Sequence, residues 1–235
     1  MKLCQAKLIR QNSKRNIKFP SKVSVELAEM IGIHFGDGSL YKDKKYNYVI
    51  TYSGNLKSDK EYMDFIFKLF FKLFNIHLKK SINPKNNSIT LTLRSKDLFY
   101  FYKDCLKLPV GKKKDLSIPY YIKDNKKFLI AFLRGLFDTD GCVTLQKSGK
   151  YRYPLIKICT KHENFANEIS KSLAFLYIPS FITKKENLGS GAYDVTIRNV
   201  NARKFLRIIG SKNERNIKGI INKWGWRDLN PHLGS

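Results

Sequence analysis

Two aspartates in matching surroundings are the residues of this sequence best placed to bind a metal ion. Asp37 and Asp140 lie 103 residues apart, and each stands between an apolar stretch and a glycine, in LAEMIGIHFGDG and IAFLRGLFDTDG. The periodicity of both stretches predicts helices, so each carboxylate would lie at a helix C-terminus, where the helix dipole disfavours negative charge. If the helices pack together, the carboxylates meet, and a divalent cation with oxygen ligands, most often Mg²⁺, would relieve their repulsion.

A row of small residues along each stretch predicts how the helices pack. Three residues spaced i, i+4 and i+8 recur between the two copies: Ala28, Gly32 and Gly36 in the first, and Ala131, Gly135 and Thr139 in the second. On a helix this spacing marks one narrow face, and a face without bulk lets two backbones approach closely. We therefore expect a pseudo-twofold helix pair. The glycine after each aspartate is expected to end its helix in the left-handed conformation.

The two stretches resemble the paired motifs of the LAGLIDADG homing endonucleases, in the single-chain form that carries both copies. The second copy, LRGLFDTDG at 133–141, matches the nine-residue signature at six positions. The first keeps the acidic Asp37 and the following Gly38 but has Phe35 in place of the first aspartate of the motif. An isolated Asp-Gly after a helix is usually only a stop signal, whereas two copies in the same context are far more specific.

The resemblance implies a reaction and a metal site. The reaction is hydrolysis of both strands of a long double-stranded DNA target, leaving a short 3′ overhang. The catalytic metal ions, Mg²⁺ or another divalent cation such as Mn²⁺, would be bound by Asp37 and Asp140. The backbone carbonyls of Gly36 and Thr139 would complete the coordination.

A phosphoryl transition state also needs positive charge nearby, which three lysines could supply. Lys113 and Lys212 follow equivalent helices in the two halves and resemble the active-site lysine of the family, and Lys161 follows a strand that ends near the axis. We favour Lys113, although a phosphate contact in a basic linker would explain it equally well. Tyr52 and Thr160 stand where family members often carry a water-ordering residue such as glutamine, so that role stays unassigned.

The elements that would carry these residues occur twice in the same order. LTLR ending at Arg94 recurs as VTIR ending at Arg198, 57 and 58 residues after the respective aspartates. We predict an α+β fold, a tandem pseudo-twofold αββαββα repeat whose two antiparallel four-stranded sheets form a DNA-binding saddle around the central helix pair. The predicted divisions are a basic arm at 1–22, the first repeat at 23–111, a linker at 112–126, the second repeat at 127–212, and a C-terminal helix and tail at 213–235.

Periodicity and turn signals predict the remaining elements. The expected hairpins pair 39–46 with 48–53, 77–82 with 88–94, 142–147 with 151–160, and 181–185 with 192–198. The expected helices cover 58–74, 97–107, 163–176, 201–209 and 217–226. Two of them are expected to begin with capping boxes, formed by Ser58 with Glu61 and by Thr160 with Glu163. The basic arm would either follow DNA phosphates or fray.

The charge balance indicates a polyanion as the partner. The chain has 45 basic and 19 acidic residues, a net charge of +26, and its 43% hydrophobic content is typical of a folded protein. Nucleic acid fits this better than a membrane surface, and the most apolar stretch, 62–78, is interrupted by lysines. Each predicted strand or hairpin-tip cation could also be an ordinary surface charge. The candidate DNA contacts are Lys42, Lys44, Lys79, Arg94, Lys147, Arg152, Lys157, Lys184 and Arg198.

The alternative interpretations assign the chain a binding function without DNA cleavage. The chain could be an RNA-splicing maturase, with intron RNA as a partner, or a DNA-binding regulator; an RNA-binding protein without chemistry is a further possibility. We prefer cleavage because both metal-binding acids are present. The four cysteines lack metal-ligand or redox spacing and no signal peptide is evident, so we expect an intracellular protein that is cytoplasmic, nucleoid-associated or organellar rather than secreted. We also expect a monomer. Self-splicing is not expected, because the terminal residues that it requires are missing.

Overall fold

A computed structural model describes residues 16–45, 47–148, 151–185 and 191–217 of the chain. The first half of the chain begins with a helix that is capped by the Ser24 hydroxyl, which accepts a hydrogen bond from the Leu27 amide at 3.1 Å. The elements of this half are α1 (Val25–Gly36), β1 (Gly38–Lys42), β2 (Tyr48–Asn55), α2 (Lys60–Phe74), β3 (Lys79–Asn83), β4 (Ser88–Arg94) and α3 (Lys96–Tyr100), which continues as a π-helical turn, Phe101–Cys105.

The second half repeats this order. Its elements are a short α4 (Tyr120–Lys123), α5 (Lys126–Asp140), β5 (Gly141–Ser148), β6 (Tyr151–Thr160), α6 (Glu163–Phe175), β7 (Phe181–Lys185), β8 (Ala192–Arg198), α7 (Asn199–Ile208) and a 3₁₀ turn, Glu214–Asn216. The predicted tandem repeat is therefore confirmed, with a helical turn, α4, inside the expected linker. The expected helix at 217–226, the tail and most of the basic arm lie outside the described residues.

The two motif helices pack backbone to backbone along their small-residue faces. A Cβ atom added to Gly32 would lie 2.1 Å from the carbonyl oxygen of Phe132, and one added to Gly135 would lie 2.3 Å from that of Glu29. Each distance is far shorter than any real Cβ contact, so only glycine permits this approach. The predicted helix pair is confirmed, and it lies between the two halves.

Each half contributes one antiparallel four-stranded sheet, in the orders β1-β2-β4-β3 and β5-β6-β8-β7. Alternate residues face the core: Ile89, Leu91 and Leu93 of β4 are buried while their neighbours are more exposed. Helices α2 and α6 contact the core side of their sheets. In the part of the chain that the structure describes, no helix covers the opposite side, which we call the open face of each sheet.

The glycines after the two aspartates differ from the prediction. Gly141 is extended, with φ −100° and ψ 162°, and Gly38 does not have a positive φ. Helix α5 continues through Asp140, whereas α1 ends one residue earlier in its motif, at Gly36. Glycine is required here for space, because each following strand turns back against its own helix. A Cβ atom would lie 2.4 Å from His34 in the first half and 2.2 Å from Phe137 in the second.

Neither predicted capping box forms. Helix α2 begins after Asp59, whose carboxylate accepts a hydrogen bond from the Asn55 amide at 2.9 Å instead of capping the helix. Helix α6 begins after His162, and Thr160 accepts a hydrogen bond from the His162 amide at 3.3 Å. In both cases the side chain bonds within the preceding turn, a local alternative that competes with helix capping.

Candidate active site

The two motif aspartates lie at the adjacent ends of α1 and α5, as their spacing predicts. Burial raises the pKa of Asp37 to about 6 and that of Asp140 to about 7, although Asp140 keeps access to solvent. The charge of Asp37 also raises the pKa of Asp140, which indicates that the two carboxylates interact. The two carboxylates therefore repel each other when both are ionised, and a bound cation would reduce this repulsion.

Two cations from different segments reach the ends of these helices. The Lys113 ammonium group donates to the carbonyl of Phe35 at 2.7 Å and also to that of Gly36. The Arg215 guanidinium group donates to the carbonyl of Thr139 at 3.1 Å. Gly36 and Thr139 are equivalent in the repeat, so the two cations hold equivalent positions. Both cations lower the pKa values of the two motif aspartates, partly offsetting the effect of burial.

The structure places the three candidate lysines differently. Lys113 lies beside the carboxylates, whereas Lys212 lies 3.4 Å from Glu29 and 4.6 Å from the centre of the Phe65 ring. Lys161 is exposed and makes no hydrogen bond or ion pair with the described residues. The position expected for Lys212 is taken by Arg215. The repeat offset could have identified Arg215, because it lies 102 residues after Lys113, whereas Lys212 lies only 99 residues after it.

Asp59 anchors Arg215 to the first half of the chain. The two side chains form an ion pair at 3.0 Å, and Asn213 donates to the same carboxylate at 3.3 Å. The negative charge of Asp59 also raises the pKa of Asp37. Asp59 was not predicted, because its role depends on contact with a segment more than 150 residues away.

The first aspartate of the second motif has a structural role. Asp138 is fully buried and accepts hydrogen bonds from the Ser211 hydroxyl group and from the Lys212 amide. Burial raises its pKa to about 7. The equivalent residue of the first motif, Phe35, instead packs against the ring of Phe132 with centres 5.2 Å apart. The departure from the motif therefore exchanges a polar anchor for an aromatic contact and leaves Asp37 in place.

The residues at the water-ordering positions are not equivalent. Tyr52 is fully buried, and its hydroxyl group lies 3.0 Å from that of Tyr102, so it belongs to the core. Thr160 is half-buried at the end of β6. Tyr52 therefore has no access to a reacting water, and the structure leaves this role unassigned.

The donor set at the helix ends suits a hard divalent cation. It consists of the carboxylates of Asp37 and Asp140 and the carbonyls of Gly36 and Thr139, and oxygen donors of this kind are preferred by Mg²⁺. The carbonyls are held in place by Lys113 and Arg215. The described residues contain no group of three or more His, Cys, Asp or Glu side chains that could hold a metal. Water or phosphate oxygens would therefore have to complete the coordination.

Only part of the predicted DNA-contact set lies on the open faces. By strand register, Lys79, Arg94, Lys157 and Arg198 lie there. Lys42, Lys147 and Lys184 share the opposite side with apolar neighbours, because they follow Leu40, Leu145 and Ile182 by two residues. Lys44 lies in the turn between β1 and β2, and Arg152 pairs with Lys147 in the register. The prediction assigned a side by alternation for Lys157 and took the other cations as members of strands or hairpin tips without assigning a side.

Comparison with known proteins links the chain to one family of folds. Residues 127–210 match the LAGLIDADG-like domain. An uncharacterized protein of Methanocaldococcus jannaschii is 30% identical over 195 residues, which cover 79% of this chain and 66% of that protein. A DNA polymerase of Thermococcus litoralis is 27% identical over 207 residues, which cover 86% of this chain but only 12% of the polymerase. The chain thus spans about two thirds of the first relative and a small part of the second.

Solved structures share the fold over most of the chain. The crystal structure of I-DmoI in complex with DNA and Mn superposes with a TM-score of 0.57 and 23% identity, covering 80% of this chain and 98% of that one. Full-length DUF199/WhiA from Thermatoga maritima superposes with a TM-score of 0.54 and 18% identity, covering 92% of this chain and 63% of that one. At these identities the similarity establishes a common fold. No helix among the described residues is long and apolar enough to cross a membrane.

Proposed function

We propose that the chain, whose second half matches the LAGLIDADG-like domain, is a LAGLIDADG-family, site-specific DNA endonuclease that cuts both strands of a long duplex target with the help of a divalent metal ion. The observation that carries the proposal is the meeting of Asp37 and Asp140 at the ends of α1 and α5, each beside a cation. The homing endonuclease I-DmoI, which has the same fold, has been crystallised with DNA and Mn, and this supports the choice of partner and cofactor.

Each group at the site has a role in this proposal. The carboxylates of Asp37 and Asp140 and the carbonyls of Gly36 and Thr139 would hold the metal. When bound, Mg²⁺ or another divalent cation such as Mn²⁺ supplies Lewis-acid stabilisation of the charge on the scissile phosphates. Lys113 and Arg215 would offset the charge that develops on the phosphate oxygens, one in each half.

The finer features of the proposal follow from the pseudo-twofold arrangement. The duplex would lie along the two open faces with its centre at the helix ends, so that one phosphate of each strand reaches the site. Cuts on opposite sides of the minor groove would leave a short 3′ overhang. We propose that the protein acts as an intracellular monomer and promotes homing of the element that encodes it.

A plasmid assay tests the proposal. The full chain is incubated with Mg²⁺ and supercoiled plasmid that carries the uninterrupted host locus, and linear DNA is the expected product. The Asp37→Asn and Asp140→Asn variants are the controls, since they remove one negative charge but little volume. Each should still shift the target in a gel and should cut it at least about a hundredfold more slowly. Cutting by either variant at the wild-type rate would contradict the assigned site.

A non-cleaving binding protein, such as a regulator or a maturase that binds intron RNA, is the second candidate. The observation that favours it is that Lys113 and Arg215 already neutralise the helix ends. In the same assay this candidate predicts a gel shift of the plasmid-derived duplex, or of the intron RNA, without linear product at any divalent ion concentration.

A further inference from the structure

The open faces of the two sheets carry different chemistry at equivalent positions. Thr51, which pairs with Thr92 in the first sheet, corresponds to Lys157, which pairs with Thr196 in the second. Thr90 corresponds in the same way to Asp194. The first sheet also places a Ser39 hydroxyl group 2.8 Å from that of Thr51. Its open face, which also carries Lys79 and Arg94, is therefore the richer in hydroxyl groups, whereas that of the second sheet carries three cations, Lys157, Lys185 and Arg198.

Asp194 fixes two lysines on the second open face. Its buried carboxylate forms ion pairs with Lys157 at 3.0 Å and with Lys185 at 2.9 Å. The side chain of Asp194 is 3% exposed, whereas those of the lysines are 38% and 35% exposed. Burial alone would raise the pKa of Asp194, but its ion pairs with the two lysines lower it. Asp194 therefore stays ionised and holds both ammonium groups at the surface, where each keeps hydrogens free to donate.

An aromatic ring fixes a third donor on the same face. The guanidinium carbon of Arg198 lies 4.4 Å from the centre of the Phe181 ring. Phe181 is 40% exposed, so its ring lies at the surface with no function in the core. The equivalent position in the first sheet holds Lys79, which pairs with Thr92 as Phe181 pairs with Thr196. Stacking restricts the guanidinium plane before any ligand binds, which lowers the entropy cost of a bidentate contact.

The exposed charged groups on this face are donors, and this determines which bases they suit. In the major groove guanine presents two acceptors, O6 and N7, and bidentate arginine contacts to them are the commonest specific contacts. Serine and threonine hydroxyl groups donate and accept, so they tolerate several bases. Alternate residues of a strand lie about 6.8 Å apart, close to two base-pair steps, so neighbouring donors can reach different base pairs.

We propose that the second sheet reads guanines in one half of an asymmetric DNA target. Arg198 is the specificity-determining residue, and Asp194 and Phe181 are positioning residues for the donors. The first sheet, with its hydroxyl-rich face, recognises the other half with less preference for guanine. This inference rests on the proposed recognition of a DNA site and is independent of cutting.

Selection from a pool of duplexes with a randomised segment tests the proposal. The full chain binds the pool in EDTA, so that binding is measured without metal-dependent cutting, and the bound duplexes are sequenced. We expect guanine to dominate several positions in one half of the selected site and fewer in the other. Arg198→Ala should reduce the guanine preference at one of those positions by about tenfold or more, and Phe181→Leu should reduce it at the same position by less.

Two further variants separate positioning from general attraction. Asp194→Asn should weaken the guanine preference at positions other than that of Arg198, because it releases the two lysines. Arg94→Ala, the matched change in the first sheet, should leave the guanine positions of the second half unchanged. A selected site without this asymmetry, or an Arg198→Ala variant that weakens binding to all sequences equally, would overturn the inference and leave the proposed function standing. Failure to enrich any sequence would overturn both.

Discussion

Lys113 and Arg215 occupy equivalent positions but differ in their remaining contacts. Burial lowers the pKa of Lys113, and the charges of Asp140 and Asp37 partly offset that effect. Arg215 is also ion-paired with Asp59, which ties it to the start of α2. Lys113 is held by the motif acids and by helix carbonyls, whereas Arg215 is also held by Asp59. Lys113 can therefore move to a phosphate at a lower cost in free energy than Arg215 can. The two strands of a target should therefore be cut at different rates.

Removing either cation should produce nicked DNA. In Lys113→Met or Arg215→Met, one strand loses a donor that stabilises developing charge, and its cleavage should slow by about 10²–10³. The measurement is the ratio of nicked to linear plasmid with time. Lys212→Met is the matched control, because this lysine contacts Glu29 and Phe65 rather than the motif acids. Linear product that forms at the wild-type rate without a nicked intermediate would show that these cations are dispensable.

The raised pKa values of the motif acids predict how stability depends on pH. For Asp37 and Asp140 the folded values are about 6 and about 7, above the usual 3.8. Between pH 4 and 7 the folded state therefore binds more protons than the unfolded state, and this contribution to stability is lost as the pH rises. Without divalent ions, the Asp37→Asn and Asp140→Asn double variant should melt several degrees above the wild type at pH 8, and the difference should shrink toward pH 5.

A carboxylate with the opposite pKa shift provides the control for this measurement. The lysines hold the pKa of Asp194 below its usual value, so the ionised form stabilises the folded state and Asp194→Asn should lower the Tm at pH 8. Thermal melting in EDTA across the pH range distinguishes the two signs. Equal Tm values for the double variant and the wild type at pH 8 would mean that ionisation of the motif acids does not destabilise the folded state.

At the scale of elements, the sequence predicts those helix and strand bounds that depend on short-range patterns of residues. The two strands that end at Arg94 and Arg198 and the helix over 163–176 agree with the structure to within a residue. The predicted capping boxes at the starts of α2 and α6 do not form, because side chains in the preceding turns bond locally. Alternation along each strand was available from the sequence as well. It would have excluded Lys184 from the open face, since Ile182 is two residues away.

The close packing of α1 against α5 requires glycine at two positions. Gly32 and Gly135 each face a backbone carbonyl of the opposite helix, at a distance that excludes even a methyl group. Gly32→Leu or Gly135→Leu should separate the helices and destabilise the fold by about 3 kcal/mol or more. Lys127→Leu, on the exposed side of α5, is the matched control. Thermal melting measures the effect, and an unchanged Tm for either glycine variant would refute the packing.

At the scale of the whole molecule, the halves are joined by polar contacts as well as by the helix pair. Arg134 of α5 makes a bidentate ion pair with Glu29 of α1, with both distances 3.0 Å, and the pair is buried. Between the linker and the second half, Glu168 of α6 accepts a hydrogen bond from the Ile118 amide at 2.7 Å. These contacts join residues 50 and 105 positions apart in sequence, and no local pattern indicates them. This is why the repeat was predictable from sequence and the anchoring of Arg215 by Asp59 was not.

The net charge of +26 makes DNA affinity dependent on salt. Each phosphate neutralised by a lysine or arginine releases a counterion, so a protein with about 6–10 such contacts loses roughly 10³–10⁵ in affinity between about 50 and 200 mM salt. We expect a loss of this size for a duplex that carries the selected site, measured by fluorescence anisotropy. Lys79→Gln, on the open face of the first sheet, should lower the slope of log affinity against log salt by about one. Lys171→Gln, on the outer side of α6, should leave the slope unchanged. A flat salt response of the wild type would contradict an interface dominated by phosphates, whatever the outcome at the active site.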